Sequence, residues 1–380
     1  MRQVFVGADV FDGRVLHRGA RLVVEGGVVQ ALLPPGEVDD GELVPLPGGI
    51  LAPGSIALQV NGGGGWQVDG LADATRIAAL CAVHARLGAT GILPTLITDT
   101  PDATAAVIAA GIAAARAGVP GFLGLHLEGP HLDPRRHGAH DPALIRPMDD
   151  TDLHRLLDAA AALPALMLTL APEAVTLDQI ARLAAAGVVV SLGHSDCDAA
   201  TTQRAIAAGA RCATHLFNAM SPLGNREPGL VGAVLSGPLS AGLIADGLHV
   251  APATMCVALA ARADGLFLVS DCMGVAGTDA TELVLGGRRI LRRDGRLRLE
   301  DGTLAGADLT LDRAVRVLVQ DVGLSPERAL AMATSVPSAV IGLQQRSGHL
   351  RPGRAADMVH LDAGFALRAV WRGGVPVDLG

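Results

Sequence analysis

Residues 191–220 read SLGHSDCDAATTQRAIAAGARCATHLFNAM, and this stretch decides the fold class. Two short apolar runs, residues 188–192 and 212–217, each carry one histidine close to their end, His194 and His215. The alanine-rich segment between the runs favours a helix. If the runs are parallel strands joined by that helix, both imidazoles leave neighbouring strands at the same rim of one sheet, where they could share a metal ion.

The same alternation of a short strand and an alanine-rich helix continues from residue 51 onward. Eight strands are predicted, at residues 55–60, 91–97, 122–127, 166–170, 188–192, 212–217, 240–245 and 266–270. Helical patterns lie between most of them, for example at residues 71–87, 103–117, 174–186 and 251–263. Alternating units in this number predict an α/β protein with a (β/α)8 TIM barrel.

Both ends of the chain have a different pattern, with short alternating runs separated by glycine-rich turns. We therefore expect a small β-sandwich domain formed by residues 1–50 and 345–380, with the barrel of residues 51–344 inserted in it. Within the barrel, residues 281–303 carry Asp-Gly turns and predict hairpins near the barrel mouth.

Composition excludes several classes of function. The net charge is −8 and no long basic run is present, so nucleic acid is not an expected partner. No apolar stretch reaches the ~18 residues of a membrane span, and the first residues do not resemble a signal peptide, so a cytoplasmic location is expected. The five cysteines are scattered, and the chain has no lysine. A Schiff-base lysine, a P-loop lysine and a lysine-bridged metal centre are thereby excluded.

Active sites of βα barrels lie at the carboxyl ends of the strands, where this chain has many polar residues. Glu128, His194 and His215 lie at or near the ends of predicted strands three, five and six, and two imidazoles with one carboxylate are a common catalytic zinc set. Asp271 follows strand eight and could move the proton of an activated water. Further polar residues at strand ends are Gln59, Asn61, Asn218, Asp246 and His249. The remaining histidines His84, His126, His131 and His137 are interpreted as structural.

The segments HLEGPHL, SLGHSD, THLFNAMSPL, REPGLVGA, IADGLHV and LVSDCMG, in this order and spacing, closely resemble the N-acetylglucosamine-6-phosphate deacetylase family of the amidohydrolase superfamily. The resemblance runs through nearly the whole chain. It implies hydrolysis of N-acetylglucosamine 6-phosphate to glucosamine 6-phosphate and acetate, with Glu128, His194 and His215 as metal ligands and Asp271 as general base and then general acid.

The same resemblance implies the substrate contacts. His140 would polarise the acetyl carbonyl, and Ala139, Asn218, Ala219, His249, Leu304, Ala305 and Gly306 would contact the sugar phosphate. Arg226 would reach the phosphate from the neighbouring subunit of a homodimer. Residues 59–61 are Gln-Val-Asn where many amidohydrolases have His-x-His, so one divalent ion is expected per subunit. Zinc is the expected ion, and iron, cobalt and manganese suit the same ligands.

Three alternatives stay open at this stage. The substrate could be N-acetylgalactosamine 6-phosphate instead. Another amidohydrolase acting on a cyclic amide would usually need a bridging lysine and His-x-His, neither of which this chain has. A sugar-phosphate-binding protein without turnover is the alternative from another class, and the complete set of ligands and Asp271 argues against it.

Overall fold

The structure, a computed structural model, describes residues 1–380. In chain order its strands are β1 (Arg2–Val6), β2 (Asp9–Phe11), β3 (Leu16–His17), β4 (Arg21–Glu25), β5 (Val28–Leu33), β6 (Glu42–Pro45), β7 (Ile50–Pro53), β8 (Ser55–Val60), β9 (Gly62–Gly63), β10 (Trp66–Gln67), β11 (Ala89–Ile97), β12 (Leu125–Glu128), β13 (Leu166–Leu170), β14 (Val189–Leu192), β15 (Cys212–Ala213), β16 (Ser240–Leu243), β17 (Leu266–Leu268), β18 (Glu282–Leu285), β19 (Arg288–Arg293), β20 (Arg296–Leu299), β21 (Leu304–Ala307), β22 (Met358–Leu361), β23 (Leu367–Arg372) and β24 (Val375–Pro376). Its helices are α1 (Ala74–Arg86), α2 (Pro101–Arg116), α3 (Asp150–Ala162), α4 (Leu177–Ala185), α5 (Ala199–Ala207), α6 (Gly229–Ser236), α7 (Pro252–Ala261), α8 (Leu311–Gln320), α9 (Pro326–Ala333) and α10 (Ser335–Val340), and a 3-10 turn spans Pro134–Arg136.

Eight parallel strands form the central sheet, in the order β8, β11, β12, β13, β14, β15, β16 and β17. Just beyond β17, the backbone N–H of Asp271 donates to the carbonyl of Gln59 in β8 at 3.1 Å, which brings the last strand back to the first. Helices cover the outside of this sheet, and most strands are buried on both faces, as a closed βα barrel requires. The predicted (β/α)8 barrel is confirmed.

The sixth barrel strand is shorter than predicted. It ends at Ala213, whereas the apolar run continues to residue 217. The reason is backbone geometry, because His215 has φ 26° and Phe217 has φ 79°, both in the left-handed region that a strand cannot contain. The chain therefore leaves the sheet early, and the rest of the apolar run is a loop that carries His215.

The two chain ends together form two further sheets, with strand orders β5-β4-β1-β6 and β24-β23-β22-β7-β2-β3. Phe5 and Trp371, from opposite ends of the chain, meet edge to face with ring centroids 5.2 Å apart. This agrees with the predicted small β region made by both termini. Strand β7 crosses the expected boundary at residue 50 and pairs with β2 and β22, and the exact division into domains remains our proposal.

The predicted hairpins form a four-stranded antiparallel sheet, β18-β19-β20-β21, that follows the last barrel strand. Its turn at Asp294 and Gly295 has φ values of 51° and 68°. Arg292 binds both carboxylate oxygens of Asp308 at 2.8 and 2.9 Å, and the N–H of Ala307 donates to the carbonyl of Asp271 at 2.8 Å. The inserted sheet is thus attached directly beside Asp271.

Candidate active site

Four polar side chains converge because their strands end at one rim of the barrel. Glu128 is the last residue of β12, while His194, His215 and Asp271 lie two or three residues beyond β14, β15 and β17. The latter three have φ values of 48°, 26° and 45°, which residues other than glycine rarely adopt. Such backbone strain concentrates at functional sites, where the surrounding structure holds it in place.

Glu128, His194 and His215 meet at one point. Oε1 of Glu128 lies 3.2 Å from Nε2 of His194 and 3.1 Å from Nε2 of His215, and the two Nε2 atoms are 3.1 Å apart. All three side chains are buried. The side chains predicted from strand ends as ligands are therefore brought together, and they form a group whose ligand atoms all lie within 4.8 Å of one another.

The donor chemistry of this group fits a metal ion. Nδ1 of His194 lies 2.8 Å from the carbonyl of Arg136, to which it donates, so Nε2 of the neutral ring presents a lone pair. That lone pair faces the carboxylate of Glu128 and Nε2 of His215. Converging acceptors repel one another unless a cation lies between them, and a carbonyl that fixes the tautomer is a usual feature of metal-binding histidines. The residues present therefore fit a divalent ion held by two nitrogens and one oxygen.

Gln59 and Asn61 are hydrogen-bond donors to the two carboxylates of the site. Nε2 of Gln59 donates to both oxygens of Glu128 at 3.1 Å, and Nδ2 of Asn61 donates to Oδ1 of Asp271 at 2.7 Å. Both amides are buried, with 2% of their surface exposed. They orient the two carboxylates by donating hydrogen bonds, and one divalent ion per subunit stays a prediction.

Asp271 has the properties of a group that exchanges a proton near neutral pH. It is buried, and this burial, with the charge of Glu128 nearby, raises the pKa of Asp271 to about 6. Glu128 behaves differently: burial acts to raise its pKa, but in the absence of an ion the two imidazoles can carry hydrogen at Nε2 and donate it to the carboxylate, which holds that pKa well below the usual value. Two carboxylates of one site thus differ in proton affinity, as separate roles for them require.

His140 lies against the metal-binding group, with its ring 4.3 Å from that of His194 in an edge-to-face arrangement. Its Nδ1 accepts from the backbone N–H of Thr98 at 3.2 Å and lies 2.8 Å from Thr98 Oγ1. Because Nδ1 is an acceptor, the hydrogen of the neutral ring is on Nε2. Burial holds the pKa of His140 well below its usual value, so the ring is a neutral donor. Sequence reasoning missed Thr98, since nothing in the sequence links it to His140.

These groups open into a cavity of about 280 Å³. Its lining comprises Asn61, Ile97, Glu128, Gly138, Ala139, His140, His194, His215, Asn218, Ala219, Ile244, His249, Asp271, Met273, Leu285, Thr303, Leu304 and Gly306. Most of the expected substrate contacts are therefore in one place. Ala305 is an exception, because alternate residues of β21 face opposite ways and its side chain is buried in the core of the inserted sheet.

Arg226 does not line the cavity of its own chain. It lies in an exposed loop, residues 222–228, that precedes α6. The cavity lining contains no arginine at all, and the chain has no lysine.

Three of the four histidines interpreted as structural, His84, His126 and His131, contact backbone carbonyls, whereas the buried Nδ1 of His137 has no hydrogen-bond partner. Nε2 of His84 lies 2.9 Å from the carbonyl of Gly62, and Nδ1 of His126 lies 2.9 Å from that of Leu58. All five cysteines are free thiols, as their scattered positions predict. None of the helices combines the length and apolar character that crossing a membrane would require.

The barrel, with a buried group of two histidines and one glutamate at its carboxyl rim, defines a class of metal-dependent hydrolases. The chain belongs to the amidohydrolase family, whose model matches residues 50–377.

Two relatives point to a narrower group. The chain is 39% identical to an N-acetylgalactosamine-6-phosphate deacetylase of Shewanella sp. (strain ANA-3), over 87% of this chain and 83% of that protein. It is 37% identical to an N-acetylglucosamine-6-phosphate deacetylase of Bos taurus, over 86% of this chain and 83% of that protein. The crystal structure of N-acetylglucosamine-6-phosphate deacetylase from Pasteurella multocida superposes with a TM-score of 0.95 at 31% identity, covering 99% of each chain.

Proposed function

We propose that this protein hydrolyses the N-acetyl group of N-acetylglucosamine 6-phosphate, giving glucosamine 6-phosphate and acetate. The observation that carries the proposal is the convergence of Glu128, His194, His215, Asp271 and His140 on one cavity. A deacetylase of N-acetylgalactosamine 6-phosphate is the second candidate, favoured by the relative from Shewanella. Both substrates are linear amides with a phosphate remote from the reacting carbon, so the same groups serve either.

A divalent ion held by Glu128, His194 and His215 would supply Lewis acidity toward the acetyl carbonyl and the attacking water. We propose zinc, and iron, cobalt or manganese would suit the same donors. Gln59 supports the ion indirectly, because its two hydrogen bonds keep the carboxylate of Glu128 in position. The rest of the reaction is assigned to side chains of this chain.

Asp271 is proposed to take a proton from the water as its oxygen bonds to the acetyl carbon. Asn61 holds one oxygen of Asp271, which leaves the other oxygen available for that proton. Nε2–H of His140 would donate to the carbonyl oxygen while negative charge develops on it. When the C–N bond breaks, Asp271 returns the same proton to the departing amine nitrogen, and the acetate leaves.

The remaining expected contacts bind the sugar phosphate and orient the amide. We propose that Asn218, Ala219, His249 and the segment 304–306 contact it, which would convert binding remote from the amide into orientation. The absence of arginine from the cavity lining supports the further proposal that Arg226 of a second subunit supplies a cation for the phosphate. The functional unit would then be a homodimer. We also propose a cytoplasmic location for it.

The dimer proposal can be tested by mixing two inactive variants, Arg226→Ala and Asp271→Asn. In a mixed dimer, the R226A subunit has an intact Asp271 and receives Arg226 from its partner. Recovery of activity on mixing is the expected result. In the matched control, R293A takes the place of R226A in the mixture; it changes an exposed arginine of β19. No recovery despite exchange of subunits would contradict the shared site.

The reaction itself is tested by following acetate release from both sugar phosphates with purified protein loaded with zinc. Release from N-acetylglucosamine 6-phosphate with the higher kcat/KM is the expected result. A higher value for the galactosamine compound would select the second candidate. Absence of acetate from either, with metal bound, would favour a binding protein without turnover.

A further inference from the structure

The loop after β13 supplies no member of the metal-binding group, although the ends of the neighbouring strands β12 and β14 each supply one. Glu173 lies three residues beyond β13 and reaches across to the next loop. Its Oε1 accepts the backbone N–H of Asp196 at 2.9 Å, and its Oε2 accepts the hydroxyl of Ser195 at 2.8 Å. Ser195 and Asp196 are the two residues that follow His194. Glu173 therefore binds the chain directly beside a proposed metal ligand.

The backbone at His194 needs such support, because its φ of 48° is one that residues other than glycine rarely adopt. A strained conformation persists only where the surrounding structure holds it. The carbonyl of His194 accepts the N–H of Asp133 at 2.9 Å, and the N–H of Ser195 donates to the carbonyl of Ala219 at 3.2 Å. These partners are backbone groups. Glu173 is the side chain that adds to them.

The same contacts reach the imidazole of His194. Its Nδ1 donates to the carbonyl of Arg136 at 2.8 Å. The guanidinium of Arg136 binds Oδ1 of Asp196 through Nε at 2.8 Å and through Nη2 at 2.6 Å. These two charged side chains are 34% and 29% exposed, so the pair fixes the position of the turn and adds little stability. A continuous path of hydrogen bonds thus leads from Glu173 through Asp196 and Arg136 to the ring.

We propose that Glu173 is a positioning residue of the metal centre, which holds His194 so that Nε2 faces Glu128 and His215. This inference rests on the proposed function, because an ion bound by these three ligands is part of that function. Groups that orient a ligand change the affinity for the metal although they do not touch it. Glu173 acts in this way from a strand end that supplies no ligand.

The test compares Glu173→Met with Glu173→Gln. Methionine has a similar length but is only a weak acceptor. The glutamine oxygen can still accept the N–H of Asp196, and its amide can donate to the hydroxyl of Ser195. In a competition titration with a chelator, the Kd for zinc is expected to rise about tenfold for E173M and less than about threefold for E173Q.

Glu227→Met is the matched control for the titration. Glu227 also accepts two backbone N–H groups, from Ala199 at 2.8 Å and from Gly229 at 3.0 Å, but it binds no residue next to a proposed ligand. E227M should therefore bind zinc like wild type. The visible spectrum of the cobalt-loaded protein reports the geometry around the ion, and cobalt suits the same donors. E173M should shift this spectrum, whereas E227M should leave it unchanged.

Arg136→Met is a second variant that keeps the test open if E173M does not fold. It removes the guanidinium and keeps the carbonyl that accepts from His194. Its Kd for zinc is expected to rise about threefold, because the pair with Asp196 is partly exposed. A wild-type Kd for R136M would overturn the inference when E173M is not available.

A zinc Kd and a cobalt spectrum of E173M equal to those of wild type would overturn the inference, even if the metal-free variant melts at a lower temperature. An equal rise in Kd for E173Q and E173M would also overturn it, because the acceptor oxygen would then not matter. If wild type binds no zinc, the proposed metal site fails together with the inference. None of these measurements uses acetate release. A protein that shows the expected zinc affinities but releases no acetate would contradict the proposed function and confirm the positioning role.

Discussion

Replacing Gln59 by methionine should weaken metal binding although Gln59 is not a ligand. Nε2 of Gln59 lies 3.1 Å from both oxygens of Glu128, and both side chains are buried. Methionine has similar length but cannot donate, so the carboxylate loses a hydrogen bond that water does not replace. A hydrogen bond to a charged group contributes about 1.5–3 kcal/mol. If that energy is lost from the bound state, the Kd for zinc rises about ten- to a hundredfold.

The assay is a competition titration in which wild type and Q59M compete with a colorimetric chelator for zinc. Gln67→Met is the matched control, because Gln67 is also a glutamine beside the barrel mouth but accepts from the N–H of Gly274 and makes no contact with Glu128. Q67M should bind zinc like wild type. A Kd for Q59M equal to that of wild type would refute the reasoning that Gln59 holds Glu128 in its metal-binding orientation.

Three other predictions concern stability. Burial lowers the pKa of His84 from 6.5 to about 4, so between these values the unfolded chain binds a proton that the folded chain does not. The free energy of unfolding should therefore fall by about 3 kcal/mol as the pH drops from 6.5 toward 4. In urea unfolding, H84Q should show a smaller pH dependence of this free energy than wild type. Leu192→Ala, at a fully buried position of β14, should cost about 2–5 kcal/mol in the same assay, whereas Val257→Ala, at a position 56% exposed on α7, should cost far less. Removing the metal by dialysis against a chelator should lower the melting temperature, because a ligand that binds only the folded state stabilises that state. A melting temperature that stays unchanged when zinc is added back would contradict the metal site.

The barrel could be predicted from the sequence because its strands are continuous apolar runs. Residues Leu166–Leu170, for example, are buried throughout, which is the pattern of a parallel strand covered on both faces. The metal-binding group could be predicted for a related reason. Parallel strands end at one rim of the barrel. The positions of Glu128, His194 and His215 relative to the strand ends were therefore sufficient to predict that their side chains meet.

The hydrogen bonds that orient this site could not be predicted in the same way. Asn61 and Asp271 are 210 positions apart, and Thr98 and His140 are 42 apart, so no local pattern connects them. The early end of β15 was also missed, because nothing in the apolar run of residues 212–217 indicates the left-handed backbone at His215. Arg226 stays a prediction, since its proposed site belongs to another subunit.

The most direct test of the central claim measures acetate release and metal content together for wild type and Asp271→Asn. We expect about one divalent ion per chain in both proteins, because Asp271 lies outside the group of three ligands. We also expect D271N to lose about a hundred- to ten-thousandfold in kcat on N-acetylglucosamine 6-phosphate. If D271N releases acetate as fast as wild type, or if wild type with its metal bound releases none, the proposed function is wrong.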